Sequence, residues 1–121
     1  MKEKLIEILE EFSDNVFLQG TLNPDEAYPQ NFITFYVSNS KFDAFYDNDA
    51  GCIDWDVTVI YYSDDPYEVL TVPPEIIAAL RDEGFIPQDA GVDILCDVKT
   101  HTGWAMNFIY PEKYEITERT K

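Results

Sequence analysis

From Cys52 to Tyr62 the chain alternates without a break: Ile53, Trp55, Val57, Val59 and Tyr61 on one parity, Cys52, Asp54, Asp56, Thr58 and Ile60 on the other. A side-chain period of two, with acids on one side, requires a strand in a sheet that has one buried face at this end. Three more segments obey the same rule. In Asn31–Val37, Ile33, Phe35 and Val37 share one face, and Phe32, Thr34 and Tyr36 the other. In Val92–Val98, Val92, Ile94, Cys96 and Val98 alternate with Asp93, Leu95 and Asp97. In Trp104–Tyr110, Trp104, Met106, Phe108 and Tyr110 alternate with Ala105, Asn107 and Ile109. The link Lys99–Gly103 is short enough to make the last pair a hairpin. The Phe32 and Cys52 strands pair antiparallel across a long loop, Ser38–Gly51.

Two segments carry the helical period instead. Leu5, Ile6, Ile8, Leu9 and Phe12 form one apolar stripe over Lys2–Phe12, with Glu3, Glu7, Glu10 and Glu11 on the other side. Ser63-Asp64-Asp65-Pro66 reads as a helix start, with Pro66 at the first helical position. Val72-Pro73-Pro74 should interrupt that helix, leaving one short turn at Pro66–Leu70 and a second helix over Pro74–Glu83. Ile76, Ile77 and Leu80 would be the apolar face of the latter, and Gly84 its C-terminal cap. Gln19–Gln30, with Pro24, Pro29 and Gly20, is a loop.

The order α-β-β-α-β-β, with short connections, implies an α+β two-layer sandwich: a mostly antiparallel sheet with the helices on one face. A chain of 121 residues is one domain, with an ordered body over about 2–111 and a polar tail over 112–121 that frays.

Charge narrows the function classes. Eight Lys and Arg face 24 Asp and Glu, a net charge of −16. Between Leu5 and Glu112 only Lys41, Arg81 and Lys99 are basic. Direct binding to nucleic acid or to an anionic membrane surface needs clustered cations and is not expected. No run approaches the roughly 18–20 apolar residues of a membrane span. Cys52 and Cys96 are too few for a disulfide framework, so an intracellular, reduced, soluble protein is the expectation.

The residues offer little chemistry. His101 is the sole histidine and falls in the last hairpin turn, where a lone histidine is normally solvated. Cys96 has the apolar parity of its strand and reads as buried and inert. Cys52 could be exposed, but neighbouring acids would raise its thiol pKa rather than lower it. Asp47-Asn48-Asp49-Ala50-Gly51 invites a calcium reading, yet the twelfth position from Asp47 is Thr58 rather than a glutamate. A polar turn explains it better. Asp54 and Asp56 share a strand face, but nothing nearby supplies a nucleophile. No nucleotide, metalloprotease or serine-hydrolase motif is present. No enzyme activity, cofactor or metal is expected.

What remains is surface. Phe42, Phe45 and Tyr46 are interleaved with Asp43, Asp47 and Asp49 in the second loop. Aromatics among acids fit a docking segment that orders on a partner. Asp54 and Asp56 complete the set of interface candidates. Tyr28, Tyr61, Tyr62 and Tyr67 suggest a tyrosine-rich exterior.

This succession resembles the tail-completion, or tail-terminator, proteins of long-tailed bacteriophages and prophages. In that family an N-terminal helix precedes a proline and an aromatic strand, here Tyr28-Pro29-Gln30-Asn31-Phe32-Ile33-Thr34-Phe35-Tyr36. An aromatic-rich loop, a long strand and an Asp-Pro helix start follow. Here they are Phe42–Tyr46, Ile53–Tyr62 and Ser63–Pro66. Then come a helix ending in glycine, Ala78–Phe85, and a final hairpin, Asp93–Trp104. The double proline and the strong negative charge depart from the family pattern. The resemblance spans roughly Leu5 to Tyr110. It implies a structural assembly protein, made in the bacterial cytoplasm and carried in the virion tail. Such a protein forms a ring, hexameric in type, that caps the tail tube and meets the head connector; no catalytic residue carries over. The acids Asp43, Asp47, Asp49, Asp54 and Asp56 would line the DNA channel or face a basic partner.

The rival reading is an acidic DNA mimic or regulator. It predicts acids at phosphate-like spacing on one face and a salt-sensitive, basic partner.

Overall fold

The computed structural model describes residues 1–18, 29–46, 50–95 and 101–115, with the backbone alone for 18, 41–46, 50–52, 95 and 113–115. The elements run α1 (Lys2–Leu9), β1 (Val16–Leu18), β2 (Asn31–Tyr46), β3 (Ala50–Ser63), α2 (Pro66–Asp82), β4 (Ile86–Pro87), β5 (Val92–Leu95) and β6 (Thr102–Glu115). The fold is α+β: two helices and one six-stranded sheet of order β1-β2-β3-β6-β4, with β5 also on β6. All pairings are antiparallel except β1 with β2.

The period-two reading locates the core. β3 sets the register, pairing Tyr61, Val59 and Val57 with Ile33, Phe35 and Val37 on one side. On the other side the same residues pair with Trp104, Met106 and Phe108. Leu5, Ile8 and Leu9 of α1 and Ile76 and Leu80 of α2 complete the same buried cluster, with Phe85. Burying an aliphatic or aromatic side chain of this kind is worth about 1.5–3 kcal/mol each.

The opposite face corrects the expectation of a single buried side. Phe32, Thr34, Thr58, Ile60 and Ala105 are all buried there. Only towards Asp54 and Asp56 does it become half-exposed. Tyr61, read as exterior, is 1% exposed, and Tyr62 stacks on Phe32 with ring centroids 4.7 Å apart. Tyr67 is exposed, and Tyr28 lies outside the described residues.

Four element boundaries differ from the sequence reading. α1 stops at Leu9, and the chain to Phe12 is held by i→i−3 bonds, Glu11 N–H to Ile8 O and Phe12 N–H to Leu9 O. Ser38–Gly51 is not a long loop. β2 runs on through Tyr46, and β3 begins at Ala50. A bulge at Ser38 shifts the pairing phase, Val37 opposing Val57 but Asn39 opposing Asp56. β6 continues past Tyr110, so Glu112–Glu115, read as a fraying tail, pair with Ile53–Ala50. The strands β1 and β4 went unread because three and two residues are too short to show a period.

The fourth difference is α2, which is one helix of 17 residues with Pro73 and Pro74 inside it. Its start is as expected: Asp65 accepts a hydrogen bond from Tyr67 N–H at 2.9 Å, and Pro66 opens the first turn. At its end Phe85 N–H donates to Leu80 O at 3.0 Å and Gly84 N–H to Arg81 O at 3.1 Å. This is the Schellman pairing, with Gly84 at φ +100° and Leu80 and Phe85 both buried. Packing of Val69 and Val72 before the interruption, and of Ile76 and Leu80 after it, holds the helix together where proline alone would end it.

Candidate functional site

The described interface candidates lie on strands. Phe42, Asp43, Phe45 and Tyr46 belong to β2, where Phe42 pairs with Ile53, Asp43 with Cys52 and Tyr46 with Ala50. Asp47 and Asp49 lie outside the described residues. Asp54 and Asp56 stand on β3, opposite Lys41 and Asn39 on one side and Pro111 and Ile109 on the other. The fold thus brings Asp43, Asp54 and Asp56 into one three-stranded arm built from the ends of β2 and β6 and the start of β3.

This arm has an unusual physical character. Among the described residues, the core cluster reaches only to Trp55 and Tyr110, which pair with each other. Beyond that pair the ladder continues through five further rows of β3 and β6, from Asp54–Pro111 to Ala50–Glu115, and of the side chains described there, those of Ile53, Asp54, Pro111 and Glu112, none belongs to the buried core. At its root Trp55 Nε1–H donates to Glu112 Oε1 at 3.0 Å, and Ser38 Oγ donates to Asp56 O at 3.2 Å. The face that carries Asp54 and Asp56 also holds a polar chain. There Thr58 Oγ1 donates to Asn107 Oδ1 at 2.7 Å, and Asn107 Nδ2 donates to Asp89 Oδ2 at 2.9 Å.

A second feature escaped the sequence reading. Pro66, Val69, Leu70, Pro73 and Pro74 of α2 face Asp93 and Ile94 of β5 and Trp104 of β6 across a groove of about 630 Å³. Val92 and Ile94, assigned to a buried parity, are instead 53% exposed and half-buried. Among the described residues β5 pairs with β6 alone, and its Ile94 meets the groove rather than the core. The signal available was the unexplained pair of prolines beside an apolar helix start.

The titratable groups are structural. Tyr61 is pushed up to about 12 by burial first, then by the carboxylates of Glu68 and Asp65 and a hydrogen bond with Glu68. Ser63 Oγ donates to Glu68 Oε1 at 2.7 Å and accepts from Asp65 N–H at 3.0 Å. The network ties the end of β3 to the first turn of α2. His101 is not solvated. It is 8% exposed, with Nε2 2.8 Å from Pro29 O and its ring 5.8 Å from that of Phe32. A carbonyl only accepts, so Nε2 carries the proton. Cys96 lies outside the described residues, and of Cys52 the backbone alone is described.

Among the described residues no group of three or more His, Cys, Asp or Glu is placed to hold a metal, and no helix is long and apolar enough to cross a membrane. No protein-family model and no curated protein matches the chain.

Proposed function

We propose that the chain is a structural virion-assembly protein. In this reading it is a phage or prophage tail terminator that forms a ring on the end of the tail tube and joins it to the head. The domain is then a two-layer body, helices on one face of the sheet, made in the bacterial cytoplasm and carried in the virion tail. It is not an enzyme. Its partners are further copies of itself, the tube and the head connector.

The observation that carries this reading is the arm. A β-ribbon needs an apolar face to pack or a neighbour to cover it. Here the ribbon continues past Trp55 and Tyr110, and its described side chains there, Ile53, Asp54, Pro111 and Glu112, lie outside the buried core. Its outer edge on β2, beyond Phe35, carries no described strand, because β1 pairs only with Ile33, Thr34 and Phe35. A strand edge without a partner among the described residues is a template for pairing with another chain. Two further features support the reading. The α2 helix is continuous, which removes the double proline as a departure from the family pattern. The net charge of −16 keeps subunits apart until a template gathers them and repels DNA from an acidic passage.

Light scattering over a wide concentration range, with negative-stain images and isolated tail tubes as template, tests the proposal. A closed ring with a central hole, alone or on the tube tip, is the expected result. Replacing Phe42, Phe45 and Tyr46 together with alanine should abolish it while leaving the monomer folded. A strict monomer that ignores tube ends overturns the reading. Steeply salt-dependent binding to a basic DNA-binding protein would put the acidic mimic in its place.

A further inference from the structure

α2 holds two consecutive prolines in mid-helix. Proline has no N–H, so each deletes the donor for the carbonyl four residues earlier. Val69 O loses Pro73 as donor but keeps Val72 N–H within reach of a 3₁₀-type bond. Leu70 O loses both, because the residues three and four ahead of it are Pro73 and Pro74. It is an acceptor with neither an α-type nor a 3₁₀-type partner.

On most helices such a carbonyl would simply be hydrated. This one lies on the helix face shared by Leu70 and Pro74, four residues apart, and both residues line the groove against β5 and β6. Leu70 is 72% exposed there. Across the groove Trp104 is pinned by its Nε1–H, which donates to Ala90 O at 2.8 Å, so the indole lines the groove already satisfied. Asp93 supplies a carboxylate on the same wall, and no lysine or arginine lines the groove among the described residues. The site therefore offers apolar walls, an aromatic ring, one carbonyl whose α-type and 3₁₀-type donors are both removed, and one negative charge. It asks for donors and positive charge on an apolar stem. A second copy of a chain with net charge −16 supplies the wrong field.

We propose that this groove docks a basic segment of a partner protein. An arginine or lysine, flanked by apolar residues, would lay its stem on Trp104 and the prolines. Its cation would meet Asp93 and the Leu70 carbonyl. The proposal goes beyond the ring reading and stands without it, since the groove and the arm share no residue.

The test titrates the ¹⁵N-labelled full chain with a capped peptide of alternating leucine and arginine. Two controls accompany it, the same peptide with glutamate for arginine and a lysine–glycine peptide without apolar residues. Saturable shifts at Leu70, Asp93, Ile94, Thr102 and the Trp104 indole are expected, for the leucine–arginine peptide alone. Asp93→Asn should weaken binding about fivefold. Pro74→Ala returns a donor to Leu70 O, so it should weaken binding comparably while the melting temperature rises. That combination separates a lost site from a damaged fold. Shifts centred on Asp54 and Asp56, equal binding of either control peptide, or unchanged affinity in both variants overturns the proposal. So does concentration-dependent self-association at the groove, which would make a second copy the occupant.

Discussion

The indole of Trp104 fills the space that a Cβ on Gly91 would need, and Gly91 sits at φ +109°. Both facts exclude a side chain there. Gly91→Ala should cost about 2–4 kcal/mol, combining left-handed strain with displacement of Trp104 and loss of its bond to Ala90. Gly84 is the control. It has φ +100°, but its added Cβ would meet Tyr110 at an ordinary 3.4 Å, so Gly84→Ala should cost only about 1 kcal/mol. Chemical denaturation of the two variants, followed by tryptophan emission, checks the ordering. Equal losses would remove Trp104 from the explanation.

Alkaline titration should show Tyr61 ionising late. Its folded pKa, pushed up to about 12, lies above the unfolded value near 10. The neutral phenol is the form the fold prefers. Its contribution to stability is full below about pH 10 and is lost as pH rises towards about 12. Ultraviolet absorbance of phenolate should show a late-titrating component that is lost in Tyr61→Phe. Unfolding midpoints of that variant should be less sensitive to pH in the same window.

Pro74 is exposed inside a continuous helix. Pro74→Ala should stabilise the fold by about 1–2 kcal/mol, the helix gain being partly offset by a freer unfolded chain. Pro73 is buried in the helix face that meets the sheet, so Pro73→Ala trades the same gain against lost packing and should be near neutral. Paired thermal melts decide. Destabilisation by Pro74→Ala would mean that the prolines set a bend the fold requires.

Thr34 Oγ1 is buried with no hydrogen-bond partner among the described residues. Thr34→Val keeps the shape and removes the desolvated hydroxyl, so stability should rise by about 0.5–1 kcal/mol. A measurable loss in urea unfolding would show that the hydroxyl has a role in the folded state.

His101 Nε2 bridges to Pro29 O across 72 positions of chain. His101→Ala leaves that carbonyl without its donor and opens space beside Phe32, and should cost about 2–3 kcal/mol. Hydrogen exchange at the first residues of β2 should accelerate in step. Unchanged exchange there would show that the bridge does not hold the strand start.

Much of this architecture was legible in residue order. The alternation in Cys52–Tyr62 identified β3, its core face and its antiparallel partner, because a pleat has only two sides. Asp65-Pro66 and Gly84 marked the ends of α2, because caps act through local backbone geometry. What failed was how far the strands run, which depends on a neighbour. Ser38-Asn39-Ser40-Lys41 has no strand period, yet it is strand because β3 offers a ladder of donors and acceptors beside it. Glu112–Glu115 follow for the same reason.

The interface candidates show the same division. Their residue types, aromatic and acidic, were plain in the sequence. Their placement on a paired arm was not, since a bulge at Ser38 and the reach of β6 set it. His101 and Tyr61 looked solvent-facing by composition and proved buried, because burial is a property of what packs above a residue. Of the groove beside Pro73 and Pro74 the sequence held only a hint, the pair of prolines itself. Its two walls are helix and edge strand, some 20 residues or more apart in the chain, and only packing on a common core sets them face to face. Sequence alone determined the local periods, the caps and the charge. Tertiary structure decided which faces are covered, how far the strands run and what stands opposite what, because those depend on contacts between residues distant in the chain.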